Sequence, residues 1–287
     1  MNHTLIQSAR KLRLSGLLTS LELRLQEAHT HQLSHAQFLE LIFQDELNVR
    51  EQRSVERRQK LASFRDTKTL EDFDWSFNTS IKRQQFYDLA ASQFIRQRKD
   101  VLLIGPPGLG KSHLAQAIGQ HAIKAGFLVL YRSIFDAVRE LQAEASPAEL
   151  NRALARYLKP DLLIIDDMGL KSLPPKAGEI LLEIILRRYE NRSTFMTSNR
   201  PIEEWGKLLN DVSTATAILD RFLHHAQIIE MNGRSYRLKD AATQRSQFAK
   251  DPDQTKLQKA AKPQSDTEKS GPEKEPDKRK DKDKDRF

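Results

Sequence analysis

Gly105-Pro106-Pro107-Gly108-Leu109-Gly110-Lys111-Ser112 fits the pattern G-x-x-x-x-G-K-[ST] of a phosphate-binding loop. The apolar run Val101-Leu102-Leu103-Ile104 precedes it, and residues 113–124 follow with helical spacing. That is the strand–loop–helix setting the pattern requires. Glycines let the backbone curl so that its N–H groups turn inward toward phosphate oxygens, and the helix N-terminus adds partial positive charge. In this arrangement Lys111 reaches the β- and γ-phosphates and Ser112 holds Mg²⁺. His113, just inside the helix, reads as a packing residue rather than a base. The stretch implies a nucleoside triphosphate ligand.

Outward from the loop, further apolar strand candidates recur at 127–131, 162–166, 194–198 and 227–231. Helical patterns lie between them at 112–124, 134–143, 148–158 and 176–191. Strands alternating with helices predict an α/β fold with a parallel sheet, whose ligands bind beyond the carboxyl ends of the strands.

The second chemical signal is Leu162-Leu163-Ile164-Ile165-Asp166-Asp167, about fifty residues after Lys111. A buried strand here delivers two carboxylates at its end. Asp166 suits Mg²⁺ through its water shell, because hard cations prefer oxygen ligands. Asp167 suits orientation or deprotonation of an attacking water. Two further residues carry two readings each. Asn199, after Phe195-Met196-Thr197-Ser198, is either an amide positioning the lytic water or a turn residue ahead of Arg200-Pro201. Arg221 is either an arginine finger for a neighbouring subunit or a local partner of Asp220 near a helix end. His224 and His225 have no metal-ligand spacing to a third residue, so no metal beyond Mg²⁺ is expected.

Residues 1 to about 65 read as helices without a strand. Residues 4–29 carry leucines and isoleucines in a mostly amphipathic pattern. Ser34 has the character of an N-cap, and a second apolar stripe runs from Phe38 to Val49. The stripe then gives way to Arg50, Arg53, Arg57, Arg58, Lys60 and Arg65, with Glu51, Glu56 and Asp66 interspersed. Such a run is either a solvated helix face or a surface on which each cation neutralises a DNA phosphate. From about Gln244 to Phe287, Lys, Asp, Glu, Pro, Gln and Ser dominate, a composition that cannot offset its ordering entropy and predicts a disordered charged tail. The expected divisions are 1–65, 66–243 and 244–287.

Composition sets outer limits. The 287 residues include no cysteine, which excludes disulfides, thiolate metal sites and cysteine catalysis. No signal-like stretch opens the chain and no apolar run approaches the ~20 residues of a membrane span, so a soluble, cytoplasmic protein with no membrane partner is expected. A net charge of +8 favours a polyanionic partner without naming one.

Taken together, GPPGLGKSHLA, LLIIDDMG, TSNRPIEEW, ILDRFLHHA and GRSYRLKDA, with Thr69-Leu70-Glu71-Asp72-Phe73-Asp74 ahead of them, are much more specific than the phosphate loop alone. From about residue 4 to residue 240 the chain resembles the IstB-like ATP-binding proteins. These are AAA+ helper subunits of insertion-sequence transposition, related to the helicase loader DnaC. The resemblance implies an AAA+ P-loop NTPase core, ATP and Mg²⁺ as cofactors, assembly as a homo-oligomer on duplex DNA, and handover of the bound site to a transposase. It places Gly105, Gly110, Lys111 and Ser112 on Walker A, Asp166 and Asp167 on Walker B, Asn199 on sensor 1 and Arg221 on the arginine-finger helix. It places Phe73 and Asp74 on the element near the adenine. Many relatives of this class carry Glu where Asp167 stands, so slower hydrolysis is expected. Arg234 and Arg237 lie where a second sensor belongs, and neither is singled out. A replicative-helicase loader and a nucleotide-gated DNA-binding scaffold with little hydrolysis are the competing expectations.

Overall fold

The computed structural model describes residues 3–239; the charged tail expected from Gln244 onward lies outside them. Three helices come first, α1 (His3–Lys11), α2 (Ser15–Thr30) and α3 (His35–Ala62). The amphipathic stretch 4–29 is thus divided, because Arg13 takes a left-handed φ of 56° and breaks the turn between α1 and α2. α3 begins as the sequence predicts. Ser34 Oγ accepts from the Gln37 amide at 3.3 Å, and Gln37 Oε1 accepts from the Ser34 amide at 2.9 Å, a reciprocal capping box.

α2 and α3 pack as an antiparallel hairpin anchored by an acid. The Glu46 carboxylate, 5% exposed, accepts from the Gly16 and Leu17 amides at 2.7 and 3.1 Å and from Arg50 Nε at 2.7 Å. A carboxylate from α3 therefore caps the first turn of α2 and meets the positive end of its dipole. Gly16 permits the approach: a Cβ there would stand 2.9 Å from the Asp45 carbonyl oxygen and from Glu46 Cα.

The remaining α-helices and strands are α4 (Arg83–Ala90), α5 (Gln93–Arg96), β1 (Asp100–Ile104), α6 (Lys111–Lys124), β2 (Val129–Ser133), α7 (Ile134–Gln142), α8 (Pro147–Leu158), β3 (Leu162–Met168), α9 (Ala177–Arg188), β4 (Ser193–Ser198), α10 (Trp205–Leu209), α11 (Val212–Leu223) and β5 (Ala226–Glu230), with a 3-10 turn at Ile202–Glu204 ahead of α10. The strands form one sheet in the order β2-β3-β4-β1-β5, and each neighbouring pair is parallel. Alternate residues along each strand feed opposite faces, as period 2 dictates. Leu102, Leu163, Ile165 and Met196 join the core beneath α7 to α11, while Val101, Leu103, Leu162, Ile164 and Phe195 join the core beneath α4 to α6.

Strand limits differ from the sequence expectation where local chemistry intervenes. β2 starts at Val129 because Gly126 (φ 97°) and the Phe127 amide, bonded to Ala122 O at 3.0 Å, still close the end of α6. β3 continues past Asp166 to Met168 through a register shift between Ile165 and Met168. α9 is shorter than 176–191, since Lys176 and Glu190 both adopt left-handed φ values. α3 ends against the sheet domain: Val55 and Phe64 pack on its core, Ala62 is fully buried, and Gln59 Nε2 donates to Gln120 Oε1 of α6 at 3.1 Å. No helix among the described residues is long and apolar enough to cross a membrane.

Candidate nucleotide site

The phosphate loop joins β1 to α6 at the carboxyl edge of the sheet, with β4 on one side of β1 and β5 on the other. Gly108 and Gly110 hold φ values of 86° and 88°, which only glycine adopts at little cost. A Cβ on Gly110 would also meet the Phe73 ring at 2.5 Å. Lys111 is 5% exposed, and its Nζ donates to the Gly105 and Pro106 carbonyls at 2.7 and 2.8 Å. Burial pushes its pKa down to about 8, against the opposing pull of Asp166.

Asp166 is fully buried at the end of the apolar run in β3. It accepts from Ser112 Oγ at 3.1 Å, from the Asp167 amide at 2.9 Å, and from the Tyr131 and Thr197 hydroxyls. The hydroxyl of α6 and the carboxylate of β3 are thus side by side, a hard-oxygen donor pair that fits Mg²⁺. Asp167 is half-buried with φ 67°, a strained conformation for a non-glycine residue. Its amide also reaches Thr197 Oγ1 at 3.2 Å, and its Oδ2 accepts from Arg65 Nη1 at 2.9 Å. Burial and the neighbouring Asp166 raise the Asp167 pKa, while Arg65 opposes the rise.

Phe73 lies against the loop, 4.6 Å from the Trp75 ring and edge-on to His113 at 5.4 Å. His113 Nε2 is 2.7 Å from Thr69 O. Asp74 accepts from Ser76 and, at 3.3 Å, from Lys239 Nζ. The segment after β5 folds back over the loop: the Tyr236 amide donates to Gly108 O at 2.9 Å, and Asn78 bridges the backbone N–H and carbonyl of Arg234, each at 2.9 Å. Arg234 stands over the Phe77 ring at 5.4 Å, whereas the charge of Arg237 is felt by both Lys111 and Asp167. The two arginines that sequence alone does not distinguish thus face different surroundings.

The fold gathers Lys111, Ser112, Asp166 and Asp167 into one cluster. Asn199 follows β4, between β3 and β1, and its backbone N–H donates to Met168 O at 2.8 Å. Arg221 stands outside the cluster: on α11 it pairs with Asp220 at 2.5 Å and lies over the Tyr189 ring at 5.7 Å. Sequence spacing offers His224 and His225 no third ligand, yet the fold brings Glu190 beside them, with donor atoms all within 4.8 Å of one another. All three are exposed, and Tyr189 OH already contacts His224 Nδ1 at 2.6 Å. Arg50, Arg53, Arg57 and Lys60 are exposed on α3 and fall within about 80° of helix circumference, with Arg58 turned away and partly buried. Arg50 pairs with Glu46, and Arg53 donates to Ser15. Sequence reasoning does not reach Tyr131 or Thr197 as site residues, and it reaches Arg65 only as a member of the basic run, whereas the fold sets Arg65 on Asp167; Thr197, two residues before Asn199, carries a local signal.

Comparison with known proteins agrees with this architecture. The chain is 36% identical over 217 residues to the protein assigned ATP binding in insertion sequence IS5376 of Geobacillus stearothermophilus, covering 76% of this chain and 86% of that protein. It is likewise 36% identical over 230 residues to the counterpart in IS21 of Pseudomonas aeruginosa, covering 80% and 87%. The AMPPCP-bound structure of DnaA from Aquifex aeolicus, 20% identical, superposes with a TM-score of 0.50 over 65% of this chain and 57% of that one, a likeness of AAA+ fold. The family profile of the IstB-like ATP binding proteins matches residues 7–244, and the chain belongs to that family.

Proposed function

We propose that this protein is a DNA-dependent ATPase of insertion-sequence transposition that assembles as a homo-oligomer on duplex DNA and directs a transposase to the bound site. The observation that carries the reading is the acid pair Asp166–Asp167 beside Lys111 and Ser112, on a chain whose relatives are named for insertion sequences. Residues 66–243 serve as the ATPase domain and residues 1–65 as the DNA- or partner-binding region. The phosphates lie along the amides of Gly108 to Ser112, Pro106 and Pro107 having no N–H to give, with Lys111 released from its loop carbonyls. Ser112 and Asp166 hold Mg²⁺, which neutralises phosphate charge when bound. Asp167 takes a proton from the attacking water, and Asn199 orients that water. Phe73 and Asp74 flank the base. Arg221 reads the γ-phosphate of a neighbouring subunit. Arg50, Arg53, Arg57 and Lys60 contact the DNA backbone, whereas Arg58, expected from sequence among them, is turned away from that face and takes no part.

The test is the mass of the protein on duplex DNA by analytical ultracentrifugation. A large assembly that requires ATP supports the reading. A monomer under all conditions, or capture of a replicative helicase in place of a transposase, contradicts it.

A further inference from the structure

The segment that leaves α3 enters the acid pair. Ser63 takes a left-handed conformation at the helix end, and Phe64 then wedges against the sheet, its ring 5.9 Å from that of Tyr131. There is no slack around it: a Cβ on Gly119 of α6 would stand 2.7 Å from Phe64 Cζ. The Asp66 amide is fixed to Gln116 Oε1 of α6 at 3.1 Å. Arg65, between these two anchors, lies 5.9 Å over the Tyr131 ring and donates to Asp167 Oδ2 at 2.9 Å. Its other terminal nitrogen is 3.8 Å from Asp136 Oδ2 at the start of α7. Asp136, which also pairs with Arg139 at 2.8 Å and accepts from Ser133 Oγ at 2.9 Å, is thus a second acid within reach of the same guanidinium.

We infer that Arg65 is a clasp on the hydrolytic carboxylate: seated on Asp167 it keeps that oxygen from water, and engagement of the basic face of α3 by DNA draws it away. The inference rests on the reading of Asp167 as the group that acts on the attacking water. Its mechanical basis is continuity. Arg65 follows the helix that carries Arg50, Arg53, Arg57 and Lys60, so a polyanion that pulls on that face acts on the connection holding Arg65 in place. A guanidinium on a carboxylate occupies the lone pairs that would accept the water's proton. Two acids within reach of one cation make a two-position element whose balance a distant ligand can bias.

The variants Arg65→Ala and Arg65→Lys, each in the full chain, test this. The Arg65 side chain is 49% exposed, so both should fold, which a melting curve checks. In the absence of DNA, Arg65→Ala should hydrolyse ATP about fivefold faster than the parent, the factor matching loss of a ~1 kcal/mol ion pair. Its kcat should rise with KM unchanged, and its stimulation by duplex DNA should shrink toward one. Arg65→Lys, which keeps the charge without the fork, should restore part of the restraint. A readout without turnover accompanies these: hydrogen exchange across residues 162–170 in the nucleotide-free protein. Duplex DNA should quicken exchange there in the parent, and Arg65→Ala should reach that level before DNA is added. A basal rate in Arg65→Ala equal to or below the parent, with nucleotide affinity intact, overturns the clasp while leaving Asp167 its role. Undiminished turnover by Asp167→Asn overturns the reading of Asp167 and the clasp with it.

Discussion

At the scale of single residues the site divides labour among groups held by different neighbours. Lys111 is desolvated and folded onto its own loop, so a nucleotide exchanges weak carbonyl contacts for charged phosphate ones. Lys111→Ala should weaken binding of a fluorescent ATP analogue by about tenfold to a hundredfold, the equivalent of one charge-assisted hydrogen bond. Asp167→Asn is predicted to bind that analogue normally yet lose roughly 10²–10⁴ in turnover, the range for general-base catalysis. The phosphate loop and the acid pair are legible in the sequence because each is contiguous in the chain and sits where strand patterns end. The groups around them are not. Arg65 and Asp167 are 102 positions apart and Tyr131 and Asp166 are 35 apart; the docking of the segment after α3 makes the first pair neighbours, and the pairing of β2 with β3 the second. Arg221 admits two readings from sequence, and in the single chain it takes the local one with Asp220.

At the scale of elements, the α2–α3 hairpin depends on one buried acid. Burial alone would raise the pKa of Glu46, but Arg50 and the Leu17 and Gly16 amides outweigh it and the net shift is downward. A carboxyl whose folded pKa is depressed stabilises the fold above its unfolded pKa, and that contribution is lost as pH falls through the folded value. Glu46→Ala should therefore cost about 2 kcal/mol at pH 7, mostly from two helix-end amides left without a partner. Urea melts should find the difference narrowing as pH drops below the ordinary glutamate range, and a pH-independent difference would contradict this account. The basic face of α3 makes a separate prediction. Charge reversal at Arg53 and Arg57 should weaken duplex binding irrespective of base sequence. It should also lower the slope of log K against log salt by about 0.9 for each DNA phosphate that is no longer neutralised. An unchanged slope would mean that this face is only solvated. Helical character in the first 65 residues is readable from the leucine pattern and the Ser34 cap. The break at Arg13 is not, because apolar spacing continues through it, while the left-handed turn closes on backbone bonds from Arg13 N–H to Arg10 O at 3.0 Å and from Leu14 N–H to Ala9 O at 2.9 Å.

At the scale of the whole molecule, the sheet order β2-β3-β4-β1-β5 puts the ends of β3 and β4 next to the phosphate loop, while the half-exposed Arg221 is in contact with Asp220 and Tyr189. A finger that serves a neighbour should complement in mixtures. Arg221→Ala subunits mixed with Lys111→Ala subunits should recover part of the turnover that neither has alone, and no recovery would assign Arg221 a role within its own subunit. Repulsion from the charge of +8 opposes assembly, and duplex DNA would relieve it. The most direct test of the central claim is ATP turnover by the purified chain with and without duplex DNA, using Asp167→Asn as the blank. The account predicts low basal turnover, a several-fold rise on DNA, and none in the blank. A rate that DNA leaves unchanged, or that Asp167→Asn reproduces, would contradict it.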